Sequence, residues 1–101
     1  MDKEYKIDYL PTAVSDLEEI IEYIQIDSPK AALNLVKKID ENISRLQDFP
    51  ELGVVPKDRH LKKFGYRLLI IGNYLVFYVL IDDIIEIRRI VHGSRNYKFL
   101  L

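Results

Sequence analysis

The chain has 101 residues, 49% of them apolar, which is enough to bury the core of one compact domain, and we expect residues 1–101 to form that single domain. It has no cysteine and only two histidines, so disulfides and thiolate metal sites are excluded, and we expect no metal and no other cofactor. The net charge of −1 and the pI of about 6.1 argue against general nucleic-acid binding, because proteins that hold a phosphate backbone usually carry a strong basic excess.

The charge is divided unevenly along the chain. Residues 1–50 contain 6 Lys and Arg against 11 Asp and Glu, while residues 51–101 contain 9 against 5. The two halves therefore carry about −5 and +4 charges. We expect the second half to form a basic surface that attracts an acidic segment of a partner.

The first residues, MDKEYKIDYL, lack the apolar stretch of a signal peptide. The longest apolar run, YLVFYVLI, is far too short to span a membrane. We therefore expect a soluble, cytoplasmic protein that does not bind membranes.

The first predicted elements are a strand and a helix. The stretch YKIDYL, residues 5–10, alternates apolar and polar side chains as a half-buried strand does. Pro11 ends it, and we expect Thr12 or Ser15 to cap a helix with an acidic, solvated face. The apolar stripe of this helix is predicted to contain Val14, Leu17, Ile20, Ile21 and Ile24.

A second helix is predicted to start at Ser28 as the cap and Pro29 as the first helical position. It should end near residues 48–50. Because only a few residues join the two helices, we expect an antiparallel hairpin with facing apolar stripes. The stripe of the second helix contains Ala32, Leu35, Val36, Ile39, Ile43 and Leu46.

Three strands are predicted in the second half, GYRLLII, YLVFYVLI and IIEIRRIV, separated by the turn dipeptides Gly72-Asn73 and Asp82-Asp83. YLVFYVLI is apolar on both faces, which predicts a central strand. FPELGVVPKDRHLKKF, between the helices and these strands, is predicted to be a loop. The order predicts an α+β fold, in which an N-terminal strand and a three-stranded antiparallel meander form one small sheet under the helical hairpin.

The order of these elements, together with DLEEIIEYI, DSPKAA, FPELG, GNYLVFY and IRRIVHGSRNY, resembles the RelE/ParE superfamily of toxins from type II toxin–antitoxin systems. The resemblance covers nearly the whole chain and is closer to the ParE branch. It implies a cytoplasmic prokaryotic toxin, of the kind associated with plasmid stabilisation, that a cognate antitoxin neutralises in a hetero-oligomeric complex.

The superfamily contains two activities. RelE-like toxins cleave mRNA on the ribosome, whereas ParE-like toxins inhibit DNA gyrase by binding it and have no active site of their own. In ribonucleolytic members an arginine commonly follows the tyrosine of the central strand, and in GNYLVFY that position is Leu75. This difference favours a gyrase inhibitor. A ribosome-dependent mRNA endoribonuclease and a non-toxic remnant that only binds antitoxin remain as alternatives.

The candidate site residues lie mainly in and after the last predicted strand. A target-binding surface would contain Arg67, Arg88, Arg89, His92 and Arg95, and a ribonuclease site would contain Arg67, His92, Arg95 and Tyr97. Of these, we expect Arg95 to have the largest functional effect.

Structural roles compete with these functional ones. His92 can be a structural histidine at a strand end, and Arg67 can form an ion pair with Glu86. Arg88 and Arg89 should point to opposite faces of their strand, so at least one of them should be solvated or paired with a helix. The tyrosines 66, 74 and 78 suit core and cross-strand packing. The stretch YKFLL, residues 97–101, should pack on the sheet or bind a partner, because its apolar side chains are costly to expose.

Overall fold

The computed structural model describes residues 4–94 as one four-stranded sheet with helices packed against it. The predicted order of strand, two helices and three strands is confirmed. In chain order the elements are β1 (Lys6–Tyr9), α1 (Pro11–Asp27), α2 (Pro29–Ser44), a 3-10 turn (Arg45–Gln47), α3 (Arg59–Lys63), β2 (Tyr66–Ile71), β3 (Tyr74–Ile81) and β4 (Ile84–His92).

The strand order in the sheet is β1-β4-β3-β2. Strands β2, β3 and β4 are antiparallel neighbours joined by two-residue turns, whereas β1 pairs in parallel with β4. Gly72 and Asp82, the first residues of the two turns, have φ angles of +58° and +54°. Glycine adopts this conformation without strain and aspartate tolerates it better than most residues, which explains why these dipeptides mark the turns.

The two long helices are separated by Ser28 alone. Its Oγ accepts a hydrogen bond from the Ala31 N–H at 3.1 Å, and Pro29 occupies the first helical position, as predicted. The predicted cap of α1 is wrong, because Leu10 precedes this helix and no side chain caps it. The Thr12 hydroxyl instead donates to the Arg88 carbonyl oxygen in β4, at 3.0 Å.

Apolar side chains fill both sides of the sheet. On one side, α1 and α2 cover alternate strand residues, including Val76, Tyr78 and Ile87, with Ile39 and Ile43 of α2 fully buried. On the other side, a smaller cluster contains Leu61, Tyr66, Phe77, Val79 and Val91. Strand β3 contributes side chains to both clusters and lies between β4 and β2, in agreement with the central position predicted for it.

The buried face of α1 differs from the predicted stripe. Val14 is 42% exposed, whereas Ala13 is fully buried and Asp16 is 8% exposed. Leu17 and Ile20 do pack against the core, as predicted. The helix therefore turns a carboxylate towards the sheet at a position where the sequence predicts solvent.

The segment predicted as a loop is partly ordered into regular structure. Asp58 caps α3 by accepting a hydrogen bond from the Leu61 N–H at 3.1 Å, and Val54 forms an antiparallel bridge with Leu68 of β2. Leu61 then completes the smaller apolar cluster. In the part of the chain from 4 to 94, no helix is both long and apolar enough to cross a membrane.

Candidate functional site

A bulge in β4 determines where its arginines point. Phe77 of β3 pairs with Arg89 and Tyr78 pairs with Ile87, so Arg88 is an extra residue without a partner in the ladder. A bulge of this kind bends the strand and changes the direction of the side chains around it. Arg88 and Arg89 consequently have partners on different elements.

Arg89 is bound to α1. Its Nε donates to Oδ2 of Asp16 and its Nη2 donates to Oδ1, both at 2.7 Å, and the Ile90 N–H donates to Oδ2 at 3.0 Å. The hydrogen bonds that Arg89 donates to the Asp16 carboxylate raise the pKa of Arg89, so its charge is fixed. The prediction that one of the two arginines pairs with a helix is confirmed, and the prediction that the acids of α1 are solvated is wrong for Asp16.

Arg88 lies beside the aromatic ring of Tyr66. Its Nε donates to Oε1 of Glu86 at 2.8 Å, its Nη1 donates to the Tyr66 hydroxyl at 3.3 Å, and its guanidinium carbon is 5.4 Å from the ring centroid. The hydrogen bond to Tyr66 is the main cause of the raised pKa of Arg88, and Glu86 adds to it. The prediction that Glu86 pairs with Arg67 is wrong, because Arg88 is its partner two residues along the same strand.

Arg67 binds the backbone of the FPELG segment. Its Nη1 donates to the carbonyl oxygens of Gly53, at 2.8 Å, and Glu51, at 3.4 Å. The side chain thereby fixes the segment that precedes α3 against β2. This is a structural role, and Arg67 shares none of these partners with Arg88 or Arg89 of β4.

Tyr78 holds the same segment from the neighbouring strand. Its hydroxyl donates to the Pro50 carbonyl at 2.7 Å and accepts from the Gly53 N–H at 2.9 Å. Burial raises the pKa of this tyrosine. Gly53 has no room for a side chain, because a Cβ there would lie 2.7 Å from the Tyr78 hydroxyl and 3.0 Å from the Leu68 carbonyl oxygen.

His92 ends β4 opposite Tyr74 of β3. Their rings meet edge to face with centroids 5.3 Å apart. The Ser94 N–H donates to Nδ1 of His92 at 3.2 Å, and the Ser94 hydroxyl lies 2.7 Å from the same nitrogen. Because a backbone N–H can only donate, Nδ1 is the acceptor, and the neutral imidazole carries its proton on Nε2.

A cleft of about 290 Å³ opens between α1 and the ends of β3 and β4. The sheet contributes Tyr74, Ile90, Val91 and His92 to its walls, and α1 contributes Asp16, Glu19, Ile20 and Tyr23. The structure thus brings His92 to the same cleft as Asp16, the partner of Arg89. Arg67 and Arg88 are attached to other parts of the fold, and Arg95 and Tyr97 lie outside the described residues.

The sequence of residues 7–97 matches the model of a protein family described as the ParE toxin of type II toxin–antitoxin systems, parDE. The chain belongs to the ParE toxin family. This result confirms the predicted superfamily and its ParE branch. No curated protein sequence matches the chain significantly.

Solved structures from toxin–antitoxin systems share this ParE-family fold. The chromosomal ParDE system of P. aeruginosa matches with a TM-score of 0.73 and 22% identity, covering 90% of this chain and 98% of that chain. The RelBE2 complex of Mycobacterium tuberculosis matches with a TM-score of 0.61 and 23% identity, covering 88% and 98%. The RelB–RelE complex of Methanococcus jannaschii matches with a TM-score of 0.58 and 22% identity, covering 92% and 98%.

One basic surface of this ParE-family chain was not among the predicted site residues. Residues 57–63, KDRHLKK, contain four lysines and arginines, all of them exposed, and His60 packs edge to face on Phe64 with ring centroids 4.8 Å apart. The high density of positive charge in these seven residues is the feature of the sequence that could have identified this surface. Asp58 caps the short helix α3 within this stretch, and the cations are exposed on the surface.

Proposed function

We propose that this ParE-family toxin inhibits DNA gyrase through protein–protein contact. The observation that supports this proposal best is that three candidate site residues, Arg67, Arg88 and Arg89, bind partners within the fold. Arg89 binds Asp16, Arg88 binds Glu86 and Tyr66, and Arg67 binds two carbonyl oxygens. A ribonuclease without a metal needs cationic and acid–base groups aimed at one phosphate.

The environment of Leu75 supports the same function. This residue, at the β3 position where ribonucleolytic members of the superfamily commonly carry an arginine, packs against the smaller apolar cluster. An arginine there would have to leave that cluster or bring a charge into it, which is unfavourable without a partner. The side chain at position 75 of β3 therefore suits apolar packing and not the binding of a phosphate.

The alternative is a ribosome-dependent mRNA endoribonuclease. The exposed cations of residues 57–63 favour it, because such a cluster can neutralise RNA phosphates, and His92 could transfer a proton through Nε2. His92 lies on β4 beside Tyr74, however, and the basic cluster lies on α3. A third candidate is a non-toxic remnant that retains only affinity for an antitoxin.

We further propose that a cognate antitoxin binds and neutralises this toxin in the cytoplasm, forming a hetero-oligomer. The structures with a similar fold come from toxin–antitoxin systems. Exposed apolar side chains on the two long helices and on the edge strand β2 would suit such a partner. They include Tyr23, Ile26, Leu33 and Ile70, with Tyr23 78% and Ile26 81% exposed.

The functional test compares the two targets directly. Purified toxin is added to a gyrase supercoiling assay and, in parallel, to a translating ribosome system in which mRNA cleavage is mapped. We expect inhibited supercoiling and stabilised DNA cleavage complexes, and intact mRNA. Unaffected gyrase with ribosome-dependent cleavage would replace the proposal by the ribonuclease alternative, and harmless expression without antitoxin would favour the remnant.

A further inference from the structure

The short helix α3 exposes a compact group of cations on the side of the sheet opposite α1 and α2. Leu61 is only 2% exposed and anchors α3 in the smaller apolar cluster, so the other side of the helix faces water. Arg59, Lys62 and Lys63 are exposed and lie three or four residues apart, which places them on one face of the helix. They form most of the basic surface of residues 57–63.

The cations of this surface repel one another in the free protein. Lys62 and Lys63 follow Arg59 at spacings of three and four residues, at which like charges destabilise a helix. Asp58, the one carboxylate in this stretch of the sequence, accepts a backbone hydrogen bond as the cap of the helix. A negatively charged ligand bound at this surface would relieve the repulsion.

An exposed aromatic pair adjoins the cations. His60 and Phe64 each immediately follow one of these cations in sequence, and their rings meet edge to face with centroids 4.8 Å apart. Phe64 is 55% exposed, and its N–H donates to the His60 carbonyl oxygen at 3.2 Å. Gly65, with a φ angle of +77°, then ends the helix. The ring of Phe64 is therefore held in a defined position on the surface, where another flat ring can stack on it.

Cations beside an exposed aromatic ring match the chemistry of an unpaired nucleotide. The phosphate of such a nucleotide is anionic, and its base has a flat surface that stacks on aromatic side chains. A duplex offers mainly its phosphates, because its bases stack on one another, and an acidic protein segment offers mainly its carboxylates. The exposed ring of Phe64 therefore favours a single-stranded nucleic acid over both.

The acidic part of the molecule lies on the other side of the sheet. Helix α1 packs in the larger apolar cluster and contains five acids and no lysine or arginine. The acids are Asp16, Glu18, Glu19, Glu22 and Asp27, and all but Asp16 are exposed. A polyanion should be repelled from this side and should approach α3 instead. The overall charge of −1 is thus compatible with a local site for a polyanion.

We propose that the basic surface of residues 57–63, together with Phe64, binds single-stranded DNA. The lysines and the arginine contact successive phosphates, and the ring of Phe64 stacks on an unpaired base. The surface itself selects a single strand. The choice of DNA over RNA rests on the proposed function, because DNA is the substrate of gyrase. Such contacts would hold a strand of DNA beside the toxin while other surfaces bind the enzyme.

Fluorescence anisotropy of the full chain with labelled oligonucleotides tests the proposal without gyrase. The probes are a single strand of about twelve thymidine nucleotides, the duplex of that strand with its complement, and a uridine RNA of the same length. We expect a dissociation constant on the order of 10 μM for the single strand of DNA at low salt. Absence of binding, or binding of the RNA more than about tenfold tighter than that of the DNA, would overturn the proposal.

Substitutions of Phe64 separate stacking from charge. Phe64→Ala should weaken binding of the single strand about tenfold, because it removes the stacking surface, and should leave binding of the duplex unchanged. Phe64→Trp keeps a ring and should retain the affinity. Phe49→Ala, at a phenylalanine that is 63% exposed outside this surface, is the matched control. Equal affinities of the two alanine variants for the single strand would contradict the proposal, and circular dichroism checks that each variant is folded.

The dependence of binding on salt tests the phosphate contacts. Lys62→Ala removes one contact, so the slope of log Kd against log salt concentration should become shallower by about 0.7 for the single strand. Lys37→Ala removes the same charge from an exposed position on α2 and should leave this slope unchanged. Identical slopes for the two variants would refute the proposed contacts.

A competition experiment distinguishes a protein partner from a nucleic acid. A peptide of glutamates that displaces the labelled strand as effectively as unlabelled single-stranded DNA would overturn the proposal in favour of an acidic protein segment. All of these measurements omit gyrase, so their failure would leave the proposed inhibition of gyrase untouched. A failed gyrase assay would leave the measured affinities for DNA and RNA to decide this inference.

Discussion

Asp16 of α1 and Arg89 of β4 are 73 residues apart in sequence and form an ion pair with two hydrogen bonds of 2.7 Å. The same carboxylate accepts the Ile90 N–H, directly after the bulge in β4. Only 10% of the Asp16 side chain and 18% of the Arg89 side chain are exposed. One carboxylate therefore attaches the first helix to the last described strand and satisfies a backbone group of that strand.

Replacing Asp16 should destabilise the fold strongly. Asp16→Ala leaves a largely buried guanidinium and the Ile90 N–H without this acceptor, and we expect a loss of about 3 kcal/mol in the free energy of unfolding. Glu18→Ala, on the exposed side of the same helix, is the matched control and should change it by less than about 0.5 kcal/mol. Urea titration monitored by circular dichroism measures both, and equal midpoints for the two variants would contradict the prediction.

The hydroxyl of Tyr78 should contribute to stability through the segment that it holds. Tyr78→Phe removes a donor to Pro50 and leaves the buried Gly53 N–H without its acceptor, which costs about 1–3 kcal/mol. Tyr23→Phe removes a hydroxyl from an exposed ring and should leave thermal stability nearly unchanged. Calorimetry of the two variants compares them, and an unchanged melting temperature for Tyr78→Phe would show that the segment is held by other contacts.

Stability should fall at high pH because of Tyr9. Burial, with a smaller effect from the negative charge of Asp40, raises the pKa of Tyr9 from 10.0 to about 12. Between these two values the unfolded state loses the phenolic proton and the folded state retains it, so the free energy of unfolding decreases as the pH rises from 10 towards 12. Tyr9→Phe should make this decrease shallower, and the raised pKa of Tyr78 should contribute a decrease in the same direction. Chemical unfolding at pH 9 to 12 measures the slope, and identical slopes with and without the Tyr9 hydroxyl would refute the assignment.

Arg95→Ala should weaken toxicity more than other single substitutions in the basic second half. For a contact surface, truncating an anchor of this type costs about 2 kcal/mol, or roughly a 30-fold loss of affinity for gyrase. Lys98→Ala is the control for loss of positive charge in the same segment. A folded Arg95→Ala protein with full toxicity would exclude this role. Loss of mRNA cleavage by several orders of magnitude with binding intact would instead indicate a ribonuclease.

Antitoxin binding should depend on one segment of the partner. We expect a tight complex with a protein encoded beside the toxin, in which the C-terminal segment of that partner covers apolar surface or adds a strand to an edge of the sheet. Removing this segment should lower the affinity measured by calorimetric titration. A truncated antitoxin that binds as tightly as the intact one would rule out this binding mode.

Local features of the sequence predicted most of the fold. Turn dipeptides, a Ser-Pro cap and apolar periodicity act over a few residues, and they placed β3 at its observed bounds and α2 at its observed start. Apart from the cap of α1 and the short helix α3, the features that were missed depend on residues far apart in sequence. The parallel pairing of β1 with β4, the bulge at Arg88 and the burial of Asp16 each require the assembled sheet.

The dependence on residues far apart in sequence also explains why the described residues of the predicted site do not form one cluster. Its residues were grouped by charge and by closeness in sequence, but the bulge and the packing of the FPELG segment gave Arg67, Arg88 and Arg89 separate internal partners. Of the predicted site residues that the structure describes, His92 lines the cleft, and Arg89 is linked to the cleft through its ion pair with Asp16. Arg95 and Tyr97, outside the described residues, remain predictions.

The pairing of β1 with β4 has a consequence for how this toxin emerges from the ribosome. Lys6 pairs with Ile84, and Tyr9 pairs with Ile87, so the first strand has no partner until residues 84–87 have been synthesised. The helices, too, lack the sheet that buries their apolar sides until β2, β3 and β4 have been synthesised. Non-local contacts of this kind slow folding. The nascent chain should therefore remain without a folded core until β4 has left the exit tunnel, and a partner that recognises the finished sheet can bind only after that moment.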